Sequence, residues 1–147
     1  MSPFQSIVVA FDGSEQSIHA TNVVLELALR FHSRVTLITV VPPPGPVYSG
    51  LETPPTVEEV ALPFREAAQR QKARLEKAGL TSVAVEVRSG SPAREILRFM
   101  EERPFDLLVM GARGLSDLGR VFLGSVSDVV VHHAHCPILV VRPPPSS

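Results

Sequence analysis

Short β-prone runs alternate with longer amphipathic segments along the whole chain, and this alternation limits the folds open to it. Five mainly apolar, β-prone runs lie at residues 7–11, 34–41, 83–87, 105–110 and 137–141. The segments between them have the periodicity of amphipathic helices. Apolar residues on both sides of a strand indicate burial between two layers, as in a parallel sheet covered by helices. The sequence therefore predicts an α/β fold: a single domain over residues 1–147, with an open five-stranded parallel sheet, helices on both faces and right-handed crossovers.

Helix signals fill the stretches between these runs. One helix is predicted after Ser14, whose side chain suits turn and cap chemistry. A second is predicted from about Thr56 to Ala78, with Pro63 early enough to kink it or to reset its start. A third has Ser91 as its N-cap and Pro92 as its first residue.

The fourth helix is predicted at residues 126–134. Ser125 and Asp128 have the spacing of a capping box, which makes Ser125 the expected N-cap. One face of this helix is expected to hold the residues at helical spacing, Val126, Val129, Val130 and His133.

Two segments are expected to be irregular. Residues 42–55 contain six prolines, which disfavour regular strand pairing there. A connection of this length typically serves as a lid or a mobile segment near a site. The Pro/Ser-rich tail at 142–147 is expected to fray.

The run from Gly111 to Ser125 carries the strongest functional signal. It leaves an apolar strand, contains several glycines and leads into a helix. Glycines let the backbone turn tightly and approach a ligand, and a helix N-terminus presents N–H groups at the positive end of the helix dipole. The run therefore predicts an anion site, with phosphate as the expected anion.

The predicted strand order places a second segment beside the glycine-rich run. With strand order 3-2-1-4-5, the order reverses between the first and fourth strands, and ligands bind beyond the carboxyl ends of strands at such a point. The exit of the first strand, at Asp12, would then lie beside Gly111. The run lacks the Gly-Lys-Ser/Thr ending of a Walker A loop, and its position after the fourth strand disfavours a dinucleotide fingerprint.

These motifs together resemble the universal stress protein family. The family's nucleotide motif is Gly, two residues, Gly, nine residues, Gly, then Ser or Thr, and Gly111, Gly114, Gly124 and Ser125 match it without gaps. Three further segments match, Val-Ala-Phe-Asp-Gly-Ser-Glu at 9–15, Leu-Leu-Val-Met-Gly-Ala-Arg-Gly-Leu-Ser at 107–116 and His-Ala-His-Cys-Pro-Ile-Leu-Val-Val at 133–141. The resemblance spans the whole chain.

The resemblance implies a Rossmann-like domain of the adenine nucleotide alpha hydrolase type that binds ATP, either alone or with Mg²⁺. It implies that Asp12 contacts the nucleoside and that Val40 offers backbone bonds to adenine. Glycines would let the backbone approach the ribose and phosphates, and N–H groups at 124–126, helped by the Ser125 hydroxyl, would bind phosphate. The full set of implied cofactor-binding positions is Ala10, Asp12, Val40, Met110, Gly111, Arg113, Gly114, Gly124, Ser125, Val126 and Ser127.

The charged residues in this set and in the glycine-rich run each need a separate interpretation. Asp12 suits nucleoside contact and also the capping of a turn. Arg113 and Arg120 suit phosphate pairing and equally a solvated surface. Asp117 departs from the small residues expected at its position, and a carboxylate near phosphate is unfavourable without a metal or an arginine to compensate it.

Three functions remain open. The resemblance implies a nucleotide-responsive stress or signalling module with no catalytic residues, usually a homodimer paired through the strand at 137–141. The alternative is a slow ATPase or nucleotidyl-transfer enzyme using the same pocket, although no residue is evident to orient a water molecule. The third is an interaction protein that keeps only the fold.

The composition limits the classes of partner that the chain is expected to bind. The net charge is −1 and the chain has one Tyr and no Trp, which disfavours nucleic-acid binding. No apolar stretch reaches membrane-spanning length. A single cysteine, Cys136, excludes an internal disulfide and fits a reducing compartment, so the cytoplasm is expected.

The cluster of His132, His133, His135 and Cys136 contains metal-ligand residue types. Adjacent helical residues point in different directions, so a helix end with core packing is expected there, and no metal. Cys136 is interpreted as a packing residue and not as a nucleophile.

Overall fold

The structure, a computed structural model, describes residues 3–43, 45, 48–113 and 123–142. Five parallel strands form one sheet in the order β3-β2-β1-β4-β5, which confirms the predicted topology. The strands are β1 (Ser6–Ala10), β2 (Arg34–Val41), β3 (Val83–Ser89), β4 (Leu107–Gly111) and β5 (Ile138–Val141). The helices are α1 (Glu15–Phe31), α2 (Val57–Lys77), α3 (Pro92–Glu102) and α4 (Ser125–His133).

The central strand shows how the sheet is covered. Side chains along a strand point to alternate faces. Ile7 and Val9 pack in a cluster with α1 and α2, whereas Val8 packs in a second cluster with α3 and α4. All three side chains are fully buried. Helices therefore cover both faces of the sheet, as the continuous apolar runs predict.

The first turn of α1 is built by short-range hydrogen bonds. Asp12 Oδ1 accepts a hydrogen bond from the N–H of Ser14 at 2.9 Å, and Ser14 Oγ accepts one from the N–H of Ser17 at 3.2 Å. Ser14 is the N-cap of the helix. Its interpretation as a turn and cap residue is confirmed.

A polar cluster holds α2 against α1. Gln71, which is buried, donates from Nε2 to the hydroxyl of Thr21. Arg74 bonds the same hydroxyl at 3.3 Å and donates to Asn22 Oδ1 at 2.6 Å. These bonds satisfy polar groups that would otherwise be costly to bury. They fix the position of α2, the helix that also carries Phe64. This helix begins after a capping box at Thr56 and continues through Pro63.

The starts of α3 and α4 differ from the predictions. Ser91 is the N-cap of α3, but its side chain makes no capping hydrogen bond. The prediction of Ser125 as an N-cap is wrong, because α4 begins at Ser125 and its N-cap is Gly124. The predicted apolar face is wrong in part. Val130 is buried, but Val129 is 41% exposed and Ser127 takes a buried place.

The two edges of the sheet carry different side chains. On β3, Arg88 forms an ion pair with Glu86 at 3.1 Å and a second with Glu102 of α3. On β5, Leu139 is 38% exposed and the flanking Ile138 and Val140 are half-buried. One edge is therefore charged and the other apolar.

Candidate functional site

A pocket of about 300 Å³ lies at the carboxyl ends of β1 and β4, where the strand order reverses. This is the position at which open parallel sheets bind ligands, and the volume lies at the lower end of the usual range of about 300–1,000 Å³. Its walls are mainly apolar with a few polar groups. The lining residues are Ala10, Phe11, Asp12, Ser17, Ile38, Val40, Pro42, Phe64, Pro92, Ile96, Met110, Gly111, Arg113, Val126 and Ser127.

The structure brings together most of the binding residues expected from the sequence. Eight of them line this pocket, namely Ala10, Asp12, Val40, Met110, Gly111, Arg113, Val126 and Ser127. Gly124 and Ser125 are described but are not among the lining residues. Gly114, Asp117 and Arg120 lie outside the described residues.

Asp12 lies in the wall formed by the exit of β1. One oxygen of its carboxylate, Oδ1, holds the turn into α1 through Ser14, and the N–H of Asp12 lies 3.4 Å from Ser17 Oγ. The capping interpretation is therefore present in the structure. Because the same half-buried residue also lines the pocket, a capping role and a ligand contact are compatible.

The backbone of Val40 faces the pocket because β1 is shorter than β2. The last pair between these strands is Ala10 with Ile38, and the N–H of Phe11 donates to the Ile38 carbonyl at 2.9 Å. In a parallel strand, the N–H and C=O of residues two apart point to the same neighbour. The N–H and C=O of Val40 therefore point to the space beyond the end of β1.

Gly111 is required by packing against α1. A Cβ on Gly111 would lie 2.9 Å from the Cβ of Gln16 and 3.2 Å from its backbone C and O. Residues other than glycine would push the first turn of α1 away from β4. The structure thus gives Gly111 a packing role in addition to the ligand approach that the family resemblance implies.

The start of α4 is tied to the end of β4 through one carbonyl. Ala112 O accepts hydrogen bonds from the N–H of Gly124 at 2.6 Å and from Ser127 Oγ at 2.6 Å. A phosphate at the Gly124 N–H would have to compete with this bond. Val126 and Ser127, in the first turn of α4, are the residues of this helix that line the pocket.

Sequence reasoning missed several lining residues. Pro42 directly follows β2 and Pro92 opens α3 just after β3. Their positions at the carboxyl ends of strands are a signal that could have found them. Phe64 and Ile96 lie inside helices, where apolar spacing predicts a buried face but not which end of the sheet that face covers.

The histidine and cysteine cluster at the end of α4 makes local contacts. Nδ1 of His132 donates to the Asp128 carbonyl at 2.7 Å, and Nδ1 of His133 donates to the Val129 carbonyl at 2.9 Å. Cys136 is half-buried in the cluster around Val8, and this burial raises the pKa of its thiol. Across residues 3–43, 45, 48–113 and 123–142, no group of three or more His, Cys, Asp or Glu side chains is placed to hold a metal.

Within the part of the chain that the structure describes, none of the helices combines the length and apolar character needed to span a membrane.

A doubly wound sheet with a pocket at its switch point defines an α/β protein with a nucleotide-binding type of fold. The model of the universal stress protein family matches residues 3–142. The chain belongs to the universal stress protein family.

Individual relatives agree over nearly the whole chain. A universal stress protein of Methanocaldococcus jannaschii is 33% identical over 144 residues, covering 96% of this chain and 84% of that protein. One of Thermus aquaticus is 37% identical over 142 residues, covering 95% of this chain and 99% of that protein. A solved universal stress protein in complex with cAMP is 25% identical, with a TM-score of 0.72 and coverage of 96% and 98%.

Proposed function

We propose that this protein binds an adenine nucleotide, ATP, in the pocket between β1 and β4 and acts as a nucleotide-responsive stress or signalling module. The observation that carries the proposal is the convergence of three features in one pocket. These are the outward-facing backbone of Val40, the half-buried Asp12 and the first turn of α4.

The apolar part of the pocket suits a purine base. Ile38, Phe64 and Ile96 provide aliphatic and aromatic surface, and the Val40 backbone offers one donor and one acceptor. A flat base with a polar edge can bury its faces against such walls while its edge pairs with the backbone. This combination of apolar walls and few fixed polar groups is typical of small-molecule sites.

The pocket also contains groups that suit phosphate. Arg113 lines it, and the α4 residues Val126 and Ser127 belong to a helix start, where the helix dipole is positive. Phosphate oxygens are well matched by a guanidinium and by backbone N–H groups. Mg²⁺, when bound with ATP, would supply neutralisation of phosphate charge.

A relative supports an adenine nucleotide as the ligand class. The universal stress protein solved with cAMP shares the fold of this chain at 25% identity over nearly its full length. The residues lining the pocket here include eight positions of the set implied by the family resemblance. ATP, with or without Mg²⁺, is the specific ligand we propose.

Calorimetry on the purified protein tests the proposal. We expect ATP to bind in the presence and absence of Mg²⁺, and GTP to bind more weakly, because the exocyclic groups of guanine differ at the edge facing Val40. Arg113→Ala should weaken ATP more than adenosine. Absence of any ATP binding by a folded sample would overturn the proposal.

We further propose that two copies pair through the edge strand β5. An exposed apolar edge needs cover, and Leu139 stands on it at 38% exposure. Light scattering should give twice the chain mass, and Leu139→Lys should shift the protein toward the monomer. A wild-type protein that stays monomeric at micromolar concentration contradicts this pairing.

We propose the cytoplasm as the compartment, since a chain with one cysteine fits a reducing environment.

A further inference from the structure

The side chain of Gln16 touches the chain where it leaves β4. The N–H of Arg113 donates to Gln16 Oε1 at 2.8 Å, although the two residues lie 97 positions apart in the sequence. Two residues earlier, the missing Cβ of Gly111 leaves the space that Gln16 Cβ and its backbone occupy. Gln16 therefore holds the strand exit by both packing and a hydrogen bond.

The residue between these two contacts is also fixed. The N–H of Ala112 donates to the Val141 carbonyl at 3.0 Å, and its own carbonyl accepts from Gly124 and Ser127. The sheet and α4 thus hold residue 112, while α1 holds residue 113 through one side chain. Arg113 lines the pocket immediately after this point.

We propose that Gln16 is a positioning residue of the nucleotide site, which fixes the direction of the backbone at Arg113 and thereby the affinity for the phosphate end of the nucleotide. This inference rests on the function proposed above. Gln16 itself is not among the residues lining the pocket, so it acts through Arg113.

The amide of Gln16 suits this place better than related side chains do. A methionine has similar length but no carbonyl oxygen to accept the Arg113 N–H. A glutamate keeps an acceptor, but adds a negative charge close to the part of the pocket where phosphate is expected. A neutral acceptor on a side chain of this length meets both conditions.

Paired titrations with ATP and adenosine test the inference. The variant is Gln16→Met, and the matched control is Gln69→Met, at an exposed position of α2. One net hydrogen bond corresponds to a roughly two- to tenfold change in affinity. We expect Gln16→Met to lower the affinity for ATP by that factor and to leave the affinity for adenosine unchanged. We expect Gln69→Met to change neither affinity.

The split between the two ligands separates positioning from general damage. Loosening of the whole fold would lower the affinities for ATP and for adenosine by the same factor, and that result would overturn the inference. Unchanged ATP affinity in Gln16→Met, with wild-type binding intact, would overturn it as well. Failure of the wild type to bind ATP would overturn the proposed function first, and this inference with it.

Hydrogen exchange at the Arg113 amide checks the contact without any ligand. Exchange should be faster in Gln16→Met than in the wild type, because the acceptor is lost. Gln16→Glu should keep the backbone N–H of Arg113 protected from exchange, while its negative charge lowers the affinity for ATP. Equal exchange in the wild type and Gln16→Met would show that the side chain does not hold Arg113, and would overturn the inference even if ATP binds.

Discussion

The hydroxyl of Ser127 donates a 2.6 Å hydrogen bond to the carbonyl of Ala112, so the first turn of α4 is bonded to the residue that follows β4. Ser127 is 2% exposed, and the same carbonyl accepts the N–H of Gly124. The two ends of the glycine-rich segment are thereby joined at one atom. Of the three residues at this junction, Ser127 lines the pocket.

Ser127→Ala should lower the free energy of unfolding by about 1 kcal/mol, because the hydroxyl that donates to the carbonyls of Ala112 and Gly124 is lost, while Ala112 O keeps its bond from the N–H of Gly124. Urea denaturation followed by circular dichroism measures the change. Ser89→Ala, at an exposed position of β3, is the matched control and should change little. Equal stability of Ser127→Ala and the wild type would show that the bond contributes nothing.

Gly111→Ala should destabilise the protein by about 1–3 kcal/mol, the usual cost of overpacking. The new methyl group would lie within 3.2 Å of the Gln16 backbone, which cannot rotate away as a side chain would. Thermal unfolding measures the loss. The control is Gly45→Ala, where a Cβ meets nothing within 4 Å. A Gly111→Ala protein as stable as the control variant would contradict the close packing of β4 on α1.

Phe64→Ala should lower the affinities for ATP and adenosine by similar factors, since the Phe64 ring belongs to the apolar part of the pocket. Loss of one base–aromatic contact typically costs about 1–3 kcal/mol in binding free energy. Fluorescence competition or calorimetry with both ligands gives the ratio. Leu62→Ala, on the same helix at 52% exposure, is the control. Loss of ATP affinity alone would place Phe64 near the phosphates and not the base.

The thiol of Cys136 should react slowly with alkylating reagents at neutral pH, because its burial raises the pKa. A raised folded-state pKa means that the folded protein holds the proton more tightly than the unfolded chain. The stabilising contribution is therefore complete below the unfolded pKa, which is near 8.5 for an ordinary thiol, and is lost as the pH rises through the folded value.

The chain has one cysteine, so thiol labelling reports on this site alone. Native protein should label more slowly than urea-unfolded protein at the same pH. Cys136→Ala should lose less stability between pH 8 and 10 than the wild type loses. Equal labelling rates in the native and unfolded states would contradict the burial of the thiol.

The fold was predictable because each strand carries its own burial signal. The apolar run around Val8 can be stable only between two layers, and the order of elements then leaves few topologies. The helix start at Gly124 was not predictable from local spacing. Ser125 and Asp128 have the pattern of a capping box, but the bonds from Gly124 and Ser127 to Ala112 O set the start of the helix one residue earlier.

The site was predictable where strands end and less so where helices cover it. Asp12 and Gly111 follow from their positions at the carboxyl ends of β1 and β4, whereas Val40 was expected only from the family resemblance. Phe64 depends on how far α2 extends over the sheet, which helical periodicity does not encode. Gln16 contacts a residue 97 positions away, and an exposed-looking amide in a helical first turn carries no sequence signal of that contact.

The unequal edges of the sheet have a consequence for how large an assembly this chain can build. The ion pairs of Arg88 with Glu86 and Glu102 place charged side chains on the β3 side, and charges on an edge strand discourage pairing with a further strand. The β5 side presents the exposed side chain of Leu139. In the pair proposed through β5, both outer edges of the joined sheet are β3 strands that carry these charged side chains, which discourage the addition of a further strand.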